Sequence, residues 1–225
     1  MALPKKILLF APCAFNLAET TRMVEIAKAV ERHPEAREAF AVHFISDGGD
    51  FEALIERHGF ALTRMEPRLT KEKIEHIAKV DRGETFAPAF TDREMITRVE
   101  NELVCLRALN PVAVVTGSYV TIPLTCRILQ TPLVWVIQST WLPDFLRHGA
   151  GMTDHIRPAP LKWVADWLIL RFINFWIRYG FLNPVNRAAK HFGVPGSSPN
   201  AGLSRPLNVA SHRRLRQICM YDDYI

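Results

Sequence analysis

Residues 110–140 read NPVAVVTGSYVTIPLTCRILQTPLVWVIQST. Val112 to Thr116 is a continuous β-prone run, short enough for a strand and apolar enough to be covered on both faces. Gly117 and Ser118 make a small-residue turn, a short helix follows, and Leu133 to Gln138 reads as a second buried strand. Strand, helix, strand is one step of a parallel sheet. Each strand of such a sheet ends in a loop on the same side, where a ligand can be met.

The same rhythm runs upstream. Ile7 to Phe10 reads as a first buried strand, and a polar loop through Asn16 follows. Glu19 to His33 has helical spacing, with Met23, Ile26, Ala27 and Val30 on one face. Phe40 to Ser46 is a second strand, closed by Asp47-Gly48-Gly49, and Phe51 to His58 a helix stopped by Gly59. Phe60 to Met65 is a candidate third strand, and residues 70–80 turn helical and polar. Thr91 and Glu94 form a capping-box pattern that opens a helix to about Ala108, and Pro111 blocks its continuation. The expected fold is therefore α/β: an open, mostly parallel, Rossmann-like sheet with helices on both faces.

Downstream of Ser139 the character changes. Residues 141–149 are short and partly apolar, and residues 151–160 read as a loop. Leu161 to Tyr179 reads as a long, Trp-rich helix, followed by a helical stretch from Asn186 to Phe192. Residues 193–206 are rich in Gly, Ser and Pro and read as a linker. The charges of the Trp-rich helix, at Lys162, Asp166, Arg171 and Arg178, do not collect on one face in the sequence. Burial against this domain or a partner is the favoured reading, with peripheral membrane contact through Leu161–Tyr179 as the alternative.

Composition narrows the function classes. The chain has 225 residues, 48% hydrophobic and 23% charged, as expected for a globular protein with a substantial core. The net charge of +5 is most simply a solvated surface, an anionic membrane or a phosphorylated ligand being the alternatives. No nucleic acid is expected, because no basic stripe interleaves with aromatics. Cysteines stand at 13, 105, 126 and 219 without a Cys-x-x-Cys pair, so neither a disulfide framework nor a metal site is expected. Free thiols point to a cytoplasmic location. Lys5-Lys6 before Ile7–Phe10 imitates a signal peptide, but Pro12 breaks the short run, and an internal strand is expected. The loop after the first strand lacks both Gly-x-Gly-x-x-Gly and the P-loop pattern.

Three segments carry a resemblance: ETTRMVEIAKAV at 19–30, VVTGSYVTIPLTCR at 114–127 and TPLVWV at 131–136. In order and spacing they resemble the N-terminal domain of GT-B glycosyltransferases, in the branch of bacterial UDP-glycosyltransferase-like enzymes of macrolide, flavonoid and MurG type. The resemblance covers residues 5–195. It implies an acceptor-binding domain over residues 1–195, a linker and tail over 196–225, and no donor-binding domain within the chain. It also implies inverting transfer of a sugar from a nucleoside diphosphate, such as a UDP-sugar, to a hydroxyl of a small or lipidic acceptor. No cofactor is expected, since the donor sugar would sit in the other domain.

The chain departs from that pattern at the base. Where the resemblance would place Gly-His before Arg22, this sequence has Ala18 and Glu19, and Thr116, Gly117 and Ser118 stand where an acidic partner would follow the fourth strand. Glu19 is thus the candidate catalytic base, and a helix-start glutamate is the alternative. Asn16, Ser118, Tyr119, Gln138, Trp141 and Phe145 are the candidate acceptor contacts, with turn, cap or core roles as alternatives. Other readings are a non-catalytic module that pairs with a separate donor-domain chain, an inactive truncated gene product, and an unrelated flavodoxin-like binding protein.

Overall fold

The computed structural model describes residues 4–136 and 154–196. Five strands, β1 (Lys6–Ala11), β2 (Phe40–Ser46), β3 (Ala61–Arg64), β4 (Ala113–Thr116) and β5 (Leu133–Trp135), form one sheet in the order β3-β2-β1-β4-β5. Every pairing is parallel. β1 is central, with Phe10 in register with Phe44 on one side and Val115 on the other. The chain moves outward through β2 and β3, then returns across β1 to start β4. The carboxyl ends of β1 and β4 therefore diverge into loops that run opposite ways, which opens a crevice there.

The period-two alternation of the strands divides the core. Leu9, Ile45 and Val114 point to one face and pack with Leu106, Ile122 and Cys126. Phe10, Phe44 and Val115 point to the other, where α1 (Leu17–Arg32) supplies Met23, Val24 and Ala27. Phe10 and Phe44 stack with ring centroids 5.1 Å apart. Burying each such side chain contributes about 1.5–3 kcal/mol.

The remaining helices start and stop where side-chain chemistry dictates. α2 (Pro34–Ala39) was not expected; it opens at Pro34, whose fixed φ suits a first helical position, and has no buried residue to leave an apolar period. α3 spans Glu52–Arg57 and ends before Gly59, which sits at φ +80°. Thr70 caps α4 (Lys71–Asp81), and Thr91 and Glu94 cap α5 (Asp92–Leu109) reciprocally, as the sequence pattern required. α6 (Ile122–Leu129) crosses from β4 to β5.

After the gap in described residues comes α7 (Ala159–Ile177), a π-helical turn (Arg178–Leu182) and α8 (Asn183–His191). α8 buries Val185, Ala188 and Ala189 in a cluster with Val99 and Leu103 of α5. α7 is different: none of its residues is fully buried, so the burial expected against this domain or a partner is not supplied by the described residues of this domain. No helix among the described residues is long and apolar enough to cross a membrane. The expected segment at 141–149 and nearly all of the expected linker and tail from 196 lie outside the described residues.

Candidate functional site at the β1–β4 crevice

The carboxyl edge of the sheet is laced together by polar groups. At its centre lies Glu19, in the first turn of α1, only 5% exposed. Asn16 caps this helix by accepting a hydrogen bond from the Glu19 backbone N–H at 3.2 Å. That cap aims the Glu19 carboxylate back over the crevice. Its Oε1 accepts from the Cys13 backbone N–H at 2.8 Å, which fixes the loop after β1. The Ser118 backbone N–H donates to Oε1 at 3.1 Å and Oε2 at 3.2 Å, which fixes the loop after β4. The Ser118 hydroxyl donates to Oε2 as well.

Gly117 makes this geometry possible. A Cβ there would stand 2.6 Å from the Glu19 carboxyl carbon. The β4 loop is also held from β5, where the Trp135 indole N–H donates to the Gly117 carbonyl. Thr116 ties β4 to β1 by donating its hydroxyl to the Ala11 carbonyl at 2.8 Å. Across the rim, Gly49 lets the loop after β2 touch the loop after β1: Phe51 N–H donates to the Ala14 carbonyl at 3.0 Å, and a Cβ on Gly49 would meet the Ala14 carbonyl carbon at 2.3 Å.

The candidate residues thus separate by position. Asn16 and Ser118 are exposed at the rim, Glu19 is buried directly beneath Ser118, and Tyr119 is buried in the core with Leu9 and Met65. Gln138, Trp141 and Phe145 lie outside the described residues. Among the described candidates, Glu19, Asn16 and Ser118 are brought together.

Beneath the rim lies a second polar group that the sequence reading missed. Asp47 follows β2, and its Oδ2 accepts from the Arg98 guanidinium at 2.7 Å, with both side chains buried. Asp47 Oδ1 and Arg98 Nε have no hydrogen-bond partner among the described residues. Burial pushes the Asp47 carboxyl up to about 6, against the pull of Arg98. One helical turn along α5, Glu102 accepts hydrogen bonds from the Thr121 and Thr125 hydroxyls and is pushed by burial to about 8. Glu102 is therefore largely protonated at neutral pH. Burial and the neighbouring carboxylates also raise the thiol of Cys13 and the phenol of Tyr119. The signal was in α5: Arg98 and Glu102 fall on the same apolar stripe as Met95, Val99 and Leu106.

Arg98 also reaches the floor of an open cleft of about 450 Å³ beside the rim, lined by Arg68, Thr70, Lys73 and His76 among others. Its cations are paired: Lys73 with Glu94 at 2.8 Å and Arg68 with Glu52 at 2.5 Å. A larger open groove, about 650 Å³, lies at the opposite, amino edge against Lys5, Arg32 and Arg37, away from the crevice. No cluster of metal-binding side chains occurs among the described residues.

No known protein-family profile matches the sequence, and no curated protein matches it. Solved structures do. The glycotransferase of kitacinnamycin superposes with a TM-score of 0.52 at 11% identity, covering 90% of this chain and 44% of that one. Glycosyltransferase SnogD from Streptomyces nogalater gives 0.48 at 17% identity, over 87% of this chain and 41% of that one. Spinosyn forosaminyltransferase SpnP gives 0.48 at 12% identity, over 85% and 43%. The chain spans less than half the length of each of these structures. Its five-stranded parallel sheet with flanking helices is the fold of one half of a GT-B glycosyltransferase.

Proposed function

We propose that this chain is the acceptor-binding half of a glycosyltransferase, acting with a donor-binding domain that holds a nucleoside-diphosphate sugar. The observation that carries this reading is the Ser118–Glu19 pair at the β1–β4 crevice. An exposed hydroxyl there sits on a buried carboxylate at the place where open parallel sheets receive ligands.

In this reading the acceptor hydroxyl donates to Ser118 Oγ. As its oxygen attacks the anomeric carbon, its proton passes to Ser118 and the Ser118 proton passes to Glu19 Oε2. The bond from the anomeric carbon to the diphosphate breaks with its electron pair on the phosphate oxygen. Direct displacement inverts the anomeric centre. Glu19 has a structural task as well, since the same carboxylate holds the loops after β1 and β4.

The test is transfer from labelled UDP-sugars to a panel of hydroxyl acceptors, with and without a supplied donor-binding domain. Transfer that requires this chain and is lost with Ser118→Ala supports the reading. Tight flavin binding, with no transfer under either condition, overturns it in favour of a flavodoxin-like protein.

A further inference from the structure

The peptide unit between Gly117 and Ser118 is gripped at both ends. Its carbonyl accepts from the Trp135 indole N–H, and its N–H donates to the Glu19 carboxylate, at 3.1 Å to Oε1 and 3.2 Å to Oε2. Trp135 is the last residue of β5, and Glu19 lies in the first turn of the helix after β1. One peptide thus ties together the ends of β1, β4 and β5, which are neighbours in the sheet. The turn needs this grip. A side chain at 117 would strike the Glu19 carboxyl group, so the position takes glycine. Glycine restrains its own backbone angles least, so the plane of the 117–118 peptide is free to rotate unless a group outside the turn holds it. A rotated peptide would bring its carbonyl towards the carboxylate, where like partial charges repel.

We propose that Trp135 is the positioning residue of the Ser118–Glu19 pair: its indole N–H fixes the plane of the 117–118 peptide, and that plane keeps the Ser118 hydroxyl on Glu19. Two observations set this role apart from packing. First, the other residues at this end of β5 are used by the core. Leu133 packs on one face of the sheet, and Val134 and Val136 pack on the other. The half-buried Trp135 ring belongs to none of the three apolar clusters among the described residues. Second, the one polar atom of Trp135 is committed to Gly117. An indole N–H can only donate, so it accepts one orientation of the peptide and rejects the other. Hydrogen bonds in series also polarise one another, so donation to the Gly117 carbonyl strengthens the bond from the Ser118 N–H to Glu19. For turnover the role rests on the glycosyl-transfer reading, in which the Ser118 hydroxyl relays the proton. Trp135 acts there through Ser118 and not on the acceptor.

Two variants of the full chain separate donor from ring. Trp135→Phe keeps an aromatic ring and drops the donor. Trp135→His drops most of the ring and keeps an N–H, because its Nε2 takes the place of the indole nitrogen in the five-membered ring. Amide hydrogen exchange reads the grip without any turnover. In Trp135→Phe the Ser118 amide is expected to exchange about tenfold faster than in the parent chain, while the Phe10 amide in β1 keeps its rate. In Trp135→His the Ser118 rate returns towards that of the parent. In the pair reconstituted with a donor-binding domain, Trp135→Phe lowers kcat by about tenfold with acceptor KM unchanged, and Trp135→His recovers most of it. An unchanged Ser118 rate in Trp135→Phe, a Phe10 rate that rises with it, or a histidine variant no better than phenylalanine would each overturn the proposal. So would a normal kcat in Trp135→Phe despite the faster exchange. If the parent pair transfers no sugar, the glycosyl-transfer reading fails, and the exchange rates still decide whether Trp135 positions Ser118.

Discussion

Asp47 and Arg98 meet at 2.7 Å across fifty-one positions of sequence, buried beneath the rim that carries Ser118. Removing one partner strands the other's charge in the interior. Arg98→Met is therefore expected to destabilise the fold by about 3–5 kcal/mol, read as the urea midpoint at neutral pH. Asp47→Leu combined with Arg98→Met should recover much of that loss, because the second change removes the stranded carboxylate. A double variant no more stable than the single would show that Arg98 acts through packing on the Phe90 ring, 5.2 Å away, and not through charge.

Glu102 makes stability depend on pH in a defined direction. Its carboxyl lies at about 8 in the fold against an ordinary 4.5. The native state therefore holds a proton that the unfolded chain releases, so this group's contribution is full below about 4.5 and lost as pH rises through about 8. The slope is at most roughly 1.4 kcal/mol per pH unit within that window and levels off above it. Glu102→Gln keeps a donor and an acceptor for Thr121 and Thr125 and removes the titration. The variant should show a flatter stability–pH curve and exceed the parent at pH 8, by urea unfolding at a series of pH values. Parallel curves for the two proteins would refute a neutral buried Glu102.

The sheet was legible because its signals are local. β1, β2, β4 and β5 are mainly apolar runs flanked by Gly or Pro within two residues, and Thr91 with Glu94 announced α5 within three positions. The site was legible only where position along the chain gives position in space: Asn16 and Glu19 follow β1, and Ser118 follows β4. That the Ser118 hydroxyl would land on the Glu19 carboxylate depends on a contact across ninety-nine residues, which no periodicity encodes. Tyr119 illustrates the same limit, since one residue separates an exposed Ser118 from a side chain packed in the core. Asp47 looked like part of a turn with Gly48 and Gly49 because its partner, Arg98, sits in α5, with α3, β3 and α4 between them in the chain.

Gly117 is limited by space and not by backbone angle. A methyl group there would press on the Glu19 carboxyl carbon at 2.6 Å, and that carboxylate is pinned by Cys13 and Ser118. Gly117→Ala should destabilise by about 1–3 kcal/mol through overpacking. Gly83→Ala is the contrast, because a Cβ there meets nothing within 4 Å and only the left-handed φ of +72° opposes it. The two urea midpoints separate the mechanisms. If shrinking the neighbour, as in Gly117→Ala with Glu19→Ala, gives no recovery relative to Glu19→Ala alone, the clash is not what disfavours alanine at 117.

Ser118 and Glu19 make separable predictions for turnover in the reconstituted pair. Ser118→Ala removes the exposed hydroxyl and leaves the Ser118 backbone N–H on Glu19, so the rim stays closed. Its turnover should fall by about a hundredfold, with acceptor KM little changed, if the hydroxyl relays the proton. Glu19→Gln removes the proton sink but keeps one carbonyl oxygen for the Cys13 N–H, so a similar loss of turnover is expected with a modest loss of stability. Because both residues serve one proton path, the double variant should be little slower than either single change. Losses that multiply, or a Glu19→Gln enzyme with normal kcat and a lowered urea midpoint, would leave Glu19 as the clasp between the two loops and place the proton elsewhere, with Asp47 the next carboxylate to substitute.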